Sequence, residues 1–294
     1  WLLLGLAGGF GASVAGGYAL DPEDPLYTQA LFDATRLSIP LLHLFDAETS
    51  HNMVISVAKR GLVPRDGRDY GPSLRTTVWG KAFENPIGLA AGFDKNAEAM
   101  EAMLGIGFGF VEVGSITPEP QDGNAKPRIF RVPSERAVIN RIGCNSHGSK
   151  VVSERIGAFR DQQRAPETTG GAAGGGSKGI VGINIAKNKT SVDAAKDYAE
   201  ACKLLADKAD YVVINVSSPN TPGLRNLQAG KELAKIVASM KKALGRYAPG
   251  TPLVVKIAPD LSAGDKREIA RVALRHGVDG LIVSNTTVSR PAAV

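Results

Sequence analysis

Only two cysteines, Cys144 and Cys202, occur in 294 residues, and neither a CxxC pair nor a Cys/His cluster is present. That excludes a disulfide framework and a zinc site, and it fits a reducing compartment. Charge of one sign is also scarce. Against 29 Asp+Glu there are 35 Lys+Arg, a net of +6 with no concentrated basic tract, so a nucleic-acid partner is excluded while an anionic ligand or membrane surface is not. The first twenty residues, WLLLGLAGGFGASVAGGYAL, carry no charge at all. A helix of that length spans about 30 Å, the thickness of a hydrocarbon core, with Trp1 and Tyr18 placed as interface anchors. Residues 1–20 are therefore expected to form a single-pass membrane anchor.

What is present points to one large α/β domain: 43% hydrophobic residues are enough for a full core, and 34 glycines suit many tight strand-to-helix turns. Residues 21–70 read as a small helical unit of two helices, the second capped by Asp46 with Met53, Val54, Val57 and Ala58 on one face. Such a unit is too small for a core of its own and must bury its apolar surface elsewhere. After a short strand in TVWGKAF, residues 71–294 alternate strand and helix patterns. The strands are NPIGLAAG, GFVEVGSIT, GIVGINIA, YVVINVSS, PLVVKIAP and GLIVSNTT. Continuous Val/Ile/Leu runs between amphipathic helices predict a parallel sheet covered by helices, either a (β/α)8 barrel or a doubly wound sheet. The stretch 164–179, RAPETTGGAAGGGSKG, is a low-complexity insertion.

Nearly every predicted strand ends in polar or glycine-rich residues: Ala90 to Lys95, Gly114 and Ser115, Asn184, Asn215 to Asn220, Lys256, and Ser284 to Thr287. In barrels the active site is built from the C-terminal ends of several strands, which favours the barrel. An asparagine offers a donor and an acceptor on one planar group, so several around a pocket match a ring with alternating carbonyl and N–H groups, such as a pyrimidine. No Ser/His/Asp set, no carboxylate pair at the strand ends and no metal-ligand cluster is found, so hydrolysis and metal chemistry lose ground and a cofactor must supply the reactivity. The AAGFD turn lacks the GxGxxG of a nicotinamide-binding sheet, leaving a flavin as the better candidate.

The motifs NPIGLAAGFDKNAEA, GFGFVEVGSITPEPQDGNAKPRIFR, AVINRIGCNSHG, NIAKNKTSVDAAKDYA, VVINVSSPNTPGLRNLQ, VVKIAPDL and DGLIVSNTT, in that order, closely resemble the membrane-associated, quinone-dependent class of dihydroorotate dehydrogenases. The resemblance runs over about residues 20 to 294. It implies a TIM barrel that binds flavin mononucleotide (FMN), oxidises dihydroorotate to orotate in pyrimidine synthesis and passes electrons to ubiquinone. The place it implies is the mitochondrial inner membrane. It makes Ser218 the base for the C5 proton; since a bare serine hydroxyl is a poor base, its proton must pass onward, through Thr221 and a water. Lys95, Asn140, Asn215, Asn220, Asn285 and Thr286 become the substrate-binding set. Ala90, Ala91, Gly92, Lys95, Ser115, Asn184, Asn215, Lys256 and Ser284 become the flavin set, with Lys256 near the ring's N1/C2 edge. His51 and Arg131 become the polar pair that meets the quinone, and residues 21–70 its tunnel. His43 reads as structural, and His147 and His276 carry no assigned chemistry.

Two features depart from the family pattern. Cys144 stands where the family generally has phenylalanine beside the substrate and the proton relay. The sequence also reaches Val294 after six core strands, so the expectation is a barrel incomplete at its C-terminal side, with about six of eight units. The alternatives to the enzyme are a non-catalytic fragment that keeps the motifs, another FMN barrel acting on pyrimidines, or an aldolase-type phosphate barrel.

Overall fold

The computed structural model describes residues 25–290, apart from 67, 69–70, 165–178 and 229. The expected membrane anchor and nearly all of the glycine-rich insertion lie outside the described residues. Among the described residues, no helix is long and apolar enough to cross a membrane.

The chain starts with α1 (Pro25–Leu42) and α2 (Ala47–Ala58). Asp46 begins α2 because its carboxylate accepts from the backbone N–H groups of Glu48 and Thr49, which have no partner inside the helix. TVWGKAF, read as one short strand, is a hairpin of β1 (Thr76–Val78) and β2 (Lys81–Phe83), turning through Trp79 and Gly80, both at positive φ. The strand reading fails there because two residues with left-handed backbone reverse the chain within it.

The main sheet contains β3 (Gly88–Leu89), β4 (Phe110–Ile116), β7 (Ile180–Ile185), β8 (Tyr211–Asn215), β9 (Leu253–Ile257) and β10 (Gly280–Val283). All six are parallel, in the order β10, β9, β8, β7, β4, β3. A second hairpin, β5 (Ile129–Val132) with β6 (Ala137–Asn140), is inserted after β4. The crossovers carry α3 (Met100–Gly105), α4 (Ser149–Arg164), α5 (Ala194–Leu205), α6 (Gly230–Tyr247) and α7 (Ala263–His276).

Strand residues alternate between two cores. Val111, Val113, Val181, Ile183, Val212, Ile214 and Val255 face the helices, which answer with Tyr198, Leu205, Leu233, Ile236 and Met240. Facing the other way, Phe83, Ile180, Tyr211, Val213 and Val254 form a second cluster against which both Phe110 and Ile282 pack. Three strands separate β4 from β10 in the sheet, so a shared cluster requires the sheet to curve round on itself. The result is a TIM-barrel-like α/β fold, and all six strands of the main sheet run toward the same end of it.

Candidate active site

At that end the strand-terminal side chains meet. Asn184, closing β7, donates from Nδ2 to Glu112 of β4 at 2.8 Å and accepts at Oδ1 from the Ser115 hydroxyl at 2.5 Å. Asn215, closing β8, donates from Nδ2 to Ser115 Oγ at 2.6 Å and accepts from the Ser217 hydroxyl at 2.6 Å. Asn285, after β10, donates to Ser217 Oγ at 2.9 Å. One continuous series of hydrogen bonds thus links the ends of β4, β7, β8 and β10. Gly182 makes room for it: a Cβ there would fall on the Tyr211 ring, whose hydroxyl donates to Glu112 at 3.2 Å.

Burial pushes the Glu112 carboxyl above its ordinary range, partly offset by the charge of Lys256, itself buried in β9. A buried lysine facing a buried carboxylate is not a snorkelling surface residue. Ser284 lies beside Asn285 and donates to its carbonyl, while Ala90 and Gly92 are exposed at the end of β3.

The loop after β6 covers the cluster. Its Asn145 and Gly143 accept from the Lys95 ammonium, which burial pulls down to about 8. Asn140 and Asn220 meet across 3.3 Å, and Asn124 ties the Asn220 carbonyl to this loop at 2.9 Å. Ser218 accepts from the Asn220 N–H at 3.3 Å in a tight turn, and no α-helix starts there, so the two residues do not cap one. Thr221 donates to the sulfur of Cys144 at 3.6 Å. Thr286 is exposed at the rim; its N–H and hydroxyl donate to Asn285 Oδ1.

Arg225 clamps the three neighbouring loops: it donates to Ser217 O at 3.0 Å, Asp260 Oδ2 at 2.9 Å and Thr286 O at 2.8 Å. Its role was not read from the sequence, nor were those of Ser217, Asn145 and Glu112. Only Glu112 left a signal, as a lone charge inside an apolar strand run.

On the helical side, Glu48 of α2 accepts from Arg128 at 2.7 and 2.9 Å, pinning α2 beside β5. A cavity of about 120 Å³ remains between them, bordered by His51, Ile55, Phe93, Lys95 and Ile129. His51 packs edge-on against Phe93, and burial, then the Lys95 charge, holds its imidazole below the ordinary value, hence neutral at pH 7. Arg131 does not bond His51. Its guanidinium donates to Phe45 O, Leu42 O and Ser50 Oγ, holding the turn between α1 and α2.

A wider depression of about 420 Å³ lies between the loops after β4 and β7. Its polar groups bond to one another, Asn188 and Lys189 to Gln121 and Ser191 to Asp197, so the strand-end cluster is the stronger site. Among the described residues no group of His, Cys, Asp or Glu could hold a metal ion.

Polar side chains gathered at the C-terminal ends of a curved parallel sheet are the mark of a TIM-barrel-like site. The family profile described as Dihydroorotate dehydrogenase matches residues 73–294. The chain is 51% identical to dihydroorotate dehydrogenase (quinone), mitochondrial, of Arabidopsis thaliana over 97% of its length, and 47% identical to the Mus musculus protein of the same name over 92%. It spans 65% and 66% of those two relatives, respectively. A crystal structure of DHODH from Eimeria tenella in complex with ferulenol superposes with a TM-score of 0.77 at 44% identity, covering 84% of this chain and 69% of that one. The chain belongs to the dihydroorotate dehydrogenase family.

Proposed function

We propose that this chain carries the site at which dihydroorotate is oxidised to orotate on FMN, with ubiquinone as the final electron acceptor, in pyrimidine synthesis. The observation that carries the reading is the convergence of Ser218, Thr221, Asn140, Asn215, Asn220, Asn285 and Lys95 around one strand-end cluster. The residue set fits a flavin: the small, exposed Ala90 and Gly92, the buried Lys256 side chain, and asparagine NH2 groups suit a flat ring with acceptor atoms at its edge.

Bound FMN supplies a two-electron acceptor for the hydrogen leaving substrate C6. The rest belongs to this chain. Lys95 pairs with the substrate carboxylate, and the asparagines fix the ring in plane through its carbonyl and N–H groups. Ser218 takes the C5 proton and gives up its own toward Thr221, because a serine hydroxyl cannot hold a second proton at neutral pH. Asn220 keeps the Ser218 oxygen in place through its backbone N–H. The substrate so loses one proton and the equivalent of a hydride, which balances its conversion to orotate.

The helical pair and its cavity serve the quinone, with His51 at the mouth and Arg131 holding the helix turn. Exposed Leu37, Leu44 and Phe45 on this unit, together with the uncharged first twenty residues, support placement at the mitochondrial inner membrane. Anaerobic mixing of flavin-loaded protein with dihydroorotate tests the assignment: bleaching of the visible flavin band supports it, and an unchanged band refutes it.

A further inference from the structure

Ser218 follows Ser217 in the chain, and the two halves of Ser217 are held by different residues. Its N–H and hydroxyl donate to Asn215 Oδ1 at 3.1 and 2.6 Å, and the hydroxyl accepts from Asn285 Nδ2 at 2.9 Å. Its carbonyl, part of the planar peptide that leads into Ser218, has one partner among the described residues: Nε of Arg225, at 3.0 Å. Bonds to the N–H and side chain leave ψ of Ser217 free, and ψ decides where that peptide and the residue beyond it point. The bond to the carbonyl oxygen removes this freedom. The same guanidinium reaches two more loops: Nη1 donates to Asp260 Oδ2 at 2.9 Å, after β9, and Nη2 to Thr286 O at 2.8 Å, after β10. Asp260 in turn accepts from the Thr287 hydroxyl and the Val288 N–H, gripping the loop after β10 one and two residues further on. Arg225 is itself anchored. It follows the fully buried Leu224 and opens a single 3-10 turn, Arg225–Gln228, in which its carbonyl accepts from Gln228, whose side-chain oxygen takes the N–H of Ala258 just past β9.

We propose that Arg225 is a positioning residue for the base: by tying the peptide between Ser217 and Ser218 to the loop that carries Asn285 and Thr286, it fixes the Ser218 oxygen relative to the ring those two residues hold. The inference rests on the reading of Ser218 as the base and deepens it. Removing a proton from carbon requires the accepting oxygen close to the C–H bond and in line with it, so a base-bearing loop that rocks loses rate even where the substrate stays bound. A guanidinium suits the task because its N–H groups form a rigid planar fork that meets three acceptors at once, which a single ammonium on a flexible stem does not.

The test is a double-mutant cycle on the rate of flavin reduction in the flavin-loaded protein, measured by anaerobic stopped flow at saturating dihydroorotate so that binding does not enter. Arg225→Ala lowers the rate by at least about tenfold, the scale of a misplaced catalytic group. In the Ser218→Ala background the same change costs less than about twofold, because no base remains to misplace. A merely structural arginine moves both backgrounds alike. Arg225→Lys keeps the positive charge beside Asp260 but cannot span all three loops; it loses at least about threefold, again only when Ser218 is present, and it carries the test if the alanine variant does not fold. Equal fractional losses with and without Ser218, or a wild-type rate in Arg225→Ala, overturn the role of Arg225 and leave the base in place. Unchanged reduction in Ser218→Ala alone strikes the base assignment, and this inference with it.

Discussion

Thr221 Oγ1 donates to the Cys144 sulfur across 3.6 Å, placing a thiol directly on the proton path proposed for Ser218. The Ser115 and Ser218 side chains also lie beside the same sulfur. Loss of that acceptor in Cys144→Ala frees the Thr221 hydroxyl to turn, and should slow flavin reduction by about tenfold, whereas Cys144→Ser keeps an acceptor and stays within about threefold. Single-turnover stopped flow separates the two. Equal rates in both variants would remove the sulfur from the path.

The thiol itself should be inert. Burial pushes the Cys144 thiol above its ordinary value and the Cys202 thiol to about 12, so neither is ionised at neutral pH. Incubation with iodoacetamide at pH 7 should leave both unmodified by mass spectrometry and the activity unchanged; rapid alkylation of Cys144 would contradict its buried setting.

Ser218→Ala should lower the rate of flavin reduction by dihydroorotate at least about a hundredfold, the usual scale for a lost general base, with flavin still bound. Near-normal reduction would move the base elsewhere.

Lys95 gives the site its pH dependence. Burial brings its ammonium down to about 8 from the ordinary 10.5, so it is charged below about 8 and neutral above. Affinity for the orotate carboxylate should fall as pH rises through about 8, and Lys95→Met should remove that step. Stability moves the other way. The unfolded chain binds the proton more tightly between about 8 and 10.5, so the cost of burying the charge is relieved over that window and stability rises with pH through it. A flat orotate titration from pH 7 to 9 would show that another group holds the carboxylate.

Arg131→Ala removes three hydrogen bonds that hold the turn between α1 and α2. Quinone reduction should then weaken, chiefly as a raised KM, while single-turnover flavin reduction by dihydroorotate stays within about twofold, as for a residue outside that half-reaction. Parallel loss of both would assign Arg131 to folding instead.

The six sheet strands were legible because parallel strands buried on both faces read as unbroken Val/Ile/Leu runs, and VVIN and LVVKI are such runs. The strand-end positions of Asn184, Asn215 and Lys256 followed from the same runs. The hairpin that carries Arg131 and Asn140 was not visible as strands. Its residues are only half-buried, and its turn depends on Arg136 in a left-handed conformation that the side chain gives no reason to expect. Partners such as Asn145 for Lys95 and Ser217 for Asn285 join residues 50 and 68 positions apart, and a pairing of that kind exists only once the sheet has curved.

The central claim is that the strand-end cluster oxidises dihydroorotate on a bound flavin. Its most direct measurement is anaerobic titration of the flavin-loaded protein with dihydroorotate, following the visible flavin band and the orotate released. One orotate formed for each flavin bleached is the predicted result; a flavin that stays oxidised in saturating dihydroorotate would contradict the account.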